Sequence, residues 1–353
     1  MRRIYGLPRD NRDQAARYLT ERGFDAVTVG VDEDAVSVKP ARDAGLRVWR
    51  CRAAFSVRHL SDADKAPLLA RDVDGEPRLW FGSGCPNEKA IRDDHLDQVR
   101  RTVEAGPFDG WLLDGIRFAS PNAGDAFFTC FCARCERKAA QLGFDFHAMR
   151  RDVRALRDWC RTSDAQPLAT NPEDLVAPLV TRWPGTAEWL RFREACVREH
   201  VGEVRAVIDA ANLRGKRFQL GAYLFFPSIA PLVGQDYPQL GALLDQVSPM
   251  LYRTLTPGDS CLTTEWGALA ALHLITPHDT FAPRDVGQQV RLARERLGGQ
   301  ASLVPILQLA DERLEETMEA ARLGGAGGMD FFRYRPGEER YVEIASRGTR
   351  ARI

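Results

Sequence analysis

Two rhythms alternate along the chain. Short runs of β-branched, aromatic and aliphatic residues are each followed by a longer stretch in which apolar positions recur every three or four residues. The first run, RIYGLP (Arg3 to Pro8), precedes a pattern that puts Ala15, Tyr18 and Leu19 on one helical face. DAVTVGV, LRVWRCRAAFS and DGWLLDGIRF are the second to fourth runs. FQLGAYLFFPS, QVSPMLYR, SLVPILQLA and GGMDFFRYR are the fifth to eighth. Val286, Val290, Ala293 and Leu297 keep helical spacing, as do Leu314, Met318 and Ala321. Strands that alternate with helices predict a parallel sheet, because a chain returning to the same edge needs a crossover. Eight such units predict an α/β fold closed as a (β/α)8 TIM barrel. An open doubly wound sheet is the alternative, weakened because no G-x-G-x-x-G follows the first run, IYGLPRDN.

Two connections exceed ordinary loop length: Phe55 to Asn87 after strand three, and about 118–186 after strand four. The expectation is one barrel domain over 1–353, with insertions at about 55–87 and 118–186. Insertions after strands fall at the C-terminal face of a barrel, where sites are built.

Composition adds exclusions. Of 353 residues, 44% are hydrophobic and 28% charged, with 49 basic and 49 acidic side chains. Zero formal net charge argues against a nucleic-acid surface and gives no sign of membrane attraction. The start, MRRIYGLPRD, lacks the apolar stretch of a signal peptide. No run of about 18 apolar residues is present. The expected location is therefore the cytoplasm. Thiols stay reduced there, and clustered cysteines read as metal ligands or catalysts before disulfides.

That matters because FFTCFCARCERKAA places Cys130, Cys132 and Cys135 within six residues. A C-x-C-x-x-C turn can aim three sulfurs at one ion, and tetrahedral zinc wants a fourth ligand. Cys85, in GSGCPNEKA, is the choice, because loops after adjacent barrel strands lie side by side. Four thiolates leave no open position for water, which favours a structural Zn2+ site over a catalytic one. Small core residues and a redox pair are the competing readings.

These four cysteines resemble the structural zinc site of glycoside hydrolase family 42 β-galactosidases, with an upstream cysteine and a C-x-C-x-x-C group after the same two strands. The wider stretch, FDGWLLDGIRF followed by CFCARCERKAAQLGFD, is similar to glycoside-hydrolase-like bacterial barrel proteins. The resemblance covers about 80–146 and implies a barrel acting on carbohydrate. It does not carry the family's catalytic pair, which would need Asn-Glu after strand four and Glu on strand seven. Here Asp114-Gly115 and Gln308 stand there.

Glycoside hydrolysis needs two carboxyl groups. Asp114, at the end of LLDGIRF, is the first candidate, because a charge at a strand end is costly unless paired or used. A structural pair with Arg117 is the competing reading. Asp330 on the last strand is the second catalytic candidate, with Asp259 and Glu265 competing. Arg117, Tyr252, Gln308 and Trp80 are expected to contact substrate. Phe81, Trp183 and Trp266 are further possible stacking platforms. His95, between Ile91 and Val99 at helical spacing, reads as core-facing. No G-x-S-x-G, P-loop or H-E-x-x-H is present. The sequence reading is thus a glycosidase-like barrel with a carbohydrate substrate, no nucleic-acid or membrane partner, and an oligomeric state left open. A non-catalytic glycan- or protein-binding barrel is the alternative.

Overall fold

The computed structural model describes residues 1–162, 165–253, 261–278 and 280–347. Its strands are β1 (Arg2–Tyr5), β2 (Ala26–Val29), β3 (Arg47–Ala53), β4 (Ala70–Arg71), β5 (Pro77–Arg78), β6 (Gly110–Asp114), β7 (Gln219–Leu224), β8 (Gln246–Pro249), β9 (Ser302–Leu303), β10 (Ile306–Gln308) and β11 (Met329–Phe332). Helices fill the intervals, and β4 and β5 form a small antiparallel hairpin of their own.

The remaining strands make one parallel sheet in the order β10-β11-β1-β2-β3-β6-β7-β8-β9. Its two outer members, β10 and β9, belong to one run of chain, SLVPILQ. β9 pairs with β8, and β10 pairs with β11. The break falls at Val304-Pro305, where proline has no N–H to give a ladder. The curled sheet is thereby closed by a single broken strand, and the expected (β/α)8 TIM-barrel architecture is what the chain adopts.

Side chains fill the barrel. Trp49, Cys51, Leu112, Tyr223, Tyr252 and Ile306 pack into one internal cluster, separate from the outer layer between sheet and helices. Trp49 fits because Gly110 and Gly221 have no Cβ. An added Cβ at Gly110 would stand 2.5 Å from the indole. Beside this apolar packing, Arg3 in β1 meets Asp330 in β11 at 2.7 Å, with neither side chain exposed to solvent. Tyr223 donates to the same carboxylate at 2.8 Å, Arg3 reaches Ser248, and Thr28 bonds Tyr223. A buried charge survives when paired and hydrogen-bonded, and this ring of partners meets that condition.

The chain runs from 54 to 109 between β3 and β6, and from 115 to 218 between β6 and β7. The second stretch ends in the long helix Gly185–Asn212, which packs against Lys89–Ala105 and Phe146–Cys160. No helix among the described residues is long and apolar enough to cross a membrane.

Candidate functional site

Two sites emerge at the C-terminal rim. The first is sulfur-rich. Cys85, Cys130, Cys132 and Cys135 are all buried, and their sulfurs lie within 4.8 Å of one another. Cys85 Sγ stands 3.6, 3.6 and 3.5 Å from those of Cys130, Cys132 and Cys135. Disulfides need about 2.05 Å, so these are four separate thiols. A tetrahedron of sulfurs at about 2.3 Å from a central ion has edges of about 3.8 Å. The donor set and its spacing therefore fit a closed tetrahedral metal site.

The loops explain how the thiols meet. β3 and β6 are neighbours, with Cys51 opposite Leu112. Phe131 N–H donates to Arg71 O at 2.7 Å, stitching the two insertions together, and Arg71 N–H donates to Cys130 Sγ at 3.4 Å. Cys132 caps the helix Ala133–Leu142, whose first turn swings Cys135 inward. Asn87 Nδ2 donates to Cys135 Sγ and to Cys196 Sγ. Behind the cluster, the buried Arg193 donates to the carbonyls of Phe127, Thr129 and Leu232 and stacks on Trp189. Burial pushes the Cys130 and Cys135 thiols well up, so a full set of thiolates here calls for a cation at its centre.

The second site is the barrel mouth. Asp114 ends β6, half-buried, and accepts from Gly115 N–H at 2.8 Å. Gly115 has φ +54°, which ends the strand. Leu112 faces the barrel interior, whereas Ile116 joins the outer core beyond that turn. Burial pushes the Asp114 carboxyl up, partly opposed by Arg117, the Gly115 N–H and Arg58. Burial chiefly holds up Cys51 and Tyr252 as acids, and Cys51 with burial holds up Tyr5, with Asp114 adding to each. Tyr252 is buried against Phe332, centroids 5.4 Å apart, and Phe332 also meets Tyr5.

The other residues singled out from sequence distribute as follows. Asp330 sits inside the barrel with Arg3 and Tyr223, fully shielded from solvent. Gln308 ends β10, half-buried, and its Oε1 has no hydrogen-bond partner. Arg117 is buried among Trp80, Phe81 and Phe225, and burial lowers its pKa to about 10. Trp80 is buried beneath that guanidinium, while Phe81 beside it is 42% exposed at φ +51°. Glu265 is buried and accepts from Ser120 Oγ and Asn122 N–H. Asp259 lies outside the described residues. Trp183 packs on Trp159. Trp266 stacks on Phe226 and lines a separate cavity of about 310 Å³ with Glu173, Asp285 and His278.

Sequence reasoning missed several groups. Arg3, Tyr223 and Ser248 carried a faint signal, as polar side chains at alternating positions within apolar runs. Arg58 and the exposed ring of Phe81 had none, because they lie in an irregular loop. His95 is buried as expected, but its partner is another histidine: Nδ1 lies 2.9 Å from His200 Nε2, and His200 Nδ1 meets Glu203 at 2.9 Å.

No family model and no curated protein matches the chain. Solved structures match it in fold. The PgaB (BpsB) glycoside hydrolase domain of Bordetella bronchiseptica superposes with TM-score 0.64 at 13% identity, covering 98% of each chain. The β-amylase catalytic domain of Paenibacillus polymyxa gives 0.58 at 12% identity, covering 97% of this chain and 96% of that one. Gan42B, a family 42 β-galactosidase from G. stearothermophilus, gives 0.60 at 12% identity. This chain is 98% covered in that match and spans 56% of the β-galactosidase. At such identities the likeness is one of fold: the neighbours are glycoside hydrolases built on the same curled parallel sheet, and this chain carries a four-cysteine cluster at its rim.

Proposed function

We propose that the chain is a glycoside-hydrolase-like enzyme that acts on a carbohydrate at the barrel mouth, with Asp114 as its principal carboxyl group. One observation carries this reading. Asp114 stands at the end of the fourth barrel strand, half-buried, with no ion-pair partner among the described residues and with its proton held more tightly than usual. A carboxyl group in that state suits a proton donor to a leaving oxygen, and it can withdraw the proton again in the reverse sense. Gln308 ends β10, Tyr252 follows β8 and Arg117 follows β6, and the three fit substrate contacts. Phe81, 42% exposed beside Arg58 and Arg117, fits an aromatic contact to a sugar. Asp330 fits a supporting part, since its charge already answers Arg3.

We propose further that the four cysteines hold zinc as a structural clasp, within one domain spanning the chain. Such an ion would be held by Cys85, Cys130, Cys132 and Cys135 and would pin the two insertions that shape the mouth. A cytoplasmic setting would keep these thiols reduced.

A second reading, a glycan-binding barrel without turnover, is favoured by the locked state of Asp330. The two separate in one assay. On a panel of chromogenic glycosides, turnover is expected from the native chain, and Asp114→Asn is expected to lower kcat by about 10²- to 10⁴-fold. Its circular dichroism and metal content should not change. Unchanged turnover in that variant removes Asp114 from the chemistry, and binding without turnover in the native chain supports the second reading.

A further inference from the structure

Many buried and half-buried arginines in this protein are answered by carboxylates. Arg3, Arg12, Arg52, Arg92, Arg157 and Arg253, for example, each hold one. At the mouth three arginines are not paired in this way. Arg58 donates to Phe81 O at 2.9 Å and lies over that ring at 4.9 Å. Arg117 has 4% exposure, a weak 3.3 Å bond to Phe118 O and an Nε with no partner. Arg333 is exposed at the end of β11 and lies against Phe332. None of the three has a carboxylate at ion-pair distance among the described residues, although Asp114 and Glu265 act on Arg117 from farther away. Asp32, the other acid felt by Tyr5 at this rim, is already taken by Arg9.

We propose that this mouth is built for an acidic saccharide, with Arg58, Arg117 and Arg333 receiving the carboxylate of a uronic acid unit while Phe81 packs on its ring. The proposal rests on the carbohydrate reading above and narrows its substrate class. A guanidinium presents a planar fork that matches a carboxylate and holds it by paired bonds. A buried guanidinium with an unmade bond gains most from such a partner, because its desolvation has already occurred. A cleft with low-dielectric walls also concentrates the attraction. Phe81 is held at positive φ between Arg58 and Arg117, which fixes the aromatic face beside the charges. Asp114 would oppose an incoming anion only when ionised, and burial favours its neutral form.

The test uses the full chain carrying Asp114→Asn, expected to slow turnover, titrated calorimetrically with trisaccharides of galacturonic, glucuronic, mannuronic and guluronic acid and with neutral trisaccharides. At least one uronide is expected to bind about tenfold or more tighter than every neutral sugar. Its affinity should fall as salt rises from about 50 to about 300 mM. Arg58→Gln and Arg333→Gln alter exposed side chains and leave the core intact, and each should weaken uronide binding about tenfold without changing neutral binding. Neutral sugars binding as tightly as any uronide, or uronide binding indifferent to both arginine variants, overturns the acidic specificity and leaves the carbohydrate reading standing. No binding by any trisaccharide overturns both.

Discussion

Arg3 and Asp330 show how much one pair can decide. They face each other across β1 and β11 inside the barrel, where neither charge reaches water. Removing one partner strands the other. Arg3→Met is expected to cost about 3–5 kcal/mol in urea denaturation, and the double variant Arg3→Met/Asp330→Asn distinctly less than the sum of the two single changes. Additive costs would show that the pair is not coupled. Gly110 sets a second constraint, because Trp49 occupies the space of its missing side chain. Gly110→Ala should lower stability by about 1–3 kcal/mol, and an unchanged denaturation midpoint would show that the indole can move aside. At the mouth, Asp114 was legible in the sequence as an acid at a strand end, yet the lack of a direct ion pair with Arg117 was not. Within a regular strand the two would face opposite ways. The left-handed turn at Gly115 instead sends Arg117 down among aromatic rings.

Loops and helices carry the next set of consequences. The two insertions meet through backbone pairing at Arg71 and Phe131 and through the four thiols. Elemental analysis should find about one zinc per chain. Cys85→Ser should lose it and make 54–88 readily cleaved by protease, while the barrel's far-ultraviolet spectrum persists. Full protease resistance in a metal-free variant would show that the backbone pairing alone suffices. The helices Lys89–Ala105 and Gly185–Asn212 bury the His95–His200 pair between them. Burial first, then the His200 imidazole and the Arg52 guanidinium, hold His95 well below its ordinary range. Burial with Arg92 lowers His200 against the pull of Glu203 and Glu199. Both rings are thus neutral in the fold, and below about pH 6.5 the unfolded chain takes up protons that the folded one refuses. Stability should therefore fall as pH drops from about 6.5 towards the depressed values. His95→Gln should flatten that slope in thermal melts between about pH 5.5 and 7, and an identical slope would remove the pair as its cause.

Closure of the barrel joins the two ends of the chain, since β1 pairs with β11 and β2 at once. Deleting 1–8 would open two sheet edges and strand Asp330, so a truncated chain is expected to lose cooperative unfolding by circular dichroism. A sharp transition in that variant would show that the barrel tolerates an open seam. The alternation of short apolar runs with helical spacing was enough to establish the strands, their parallel arrangement and the closed count of eight. These are local properties, written in periods of 2 and 3.6 residues. The cysteine spacing likewise announced three members of the thiol cluster, because a single turn brings them together. Which residues stand unpaired at the mouth, which acid is sealed within, and which ring faces solvent depend on neighbours distant in sequence: Arg3 lies 327 positions from Asp330, and His95 lies 105 from His200. Periodicity says which face a side chain occupies. What it meets there is set by packing against other segments, and that was decided only when the chain closed on itself.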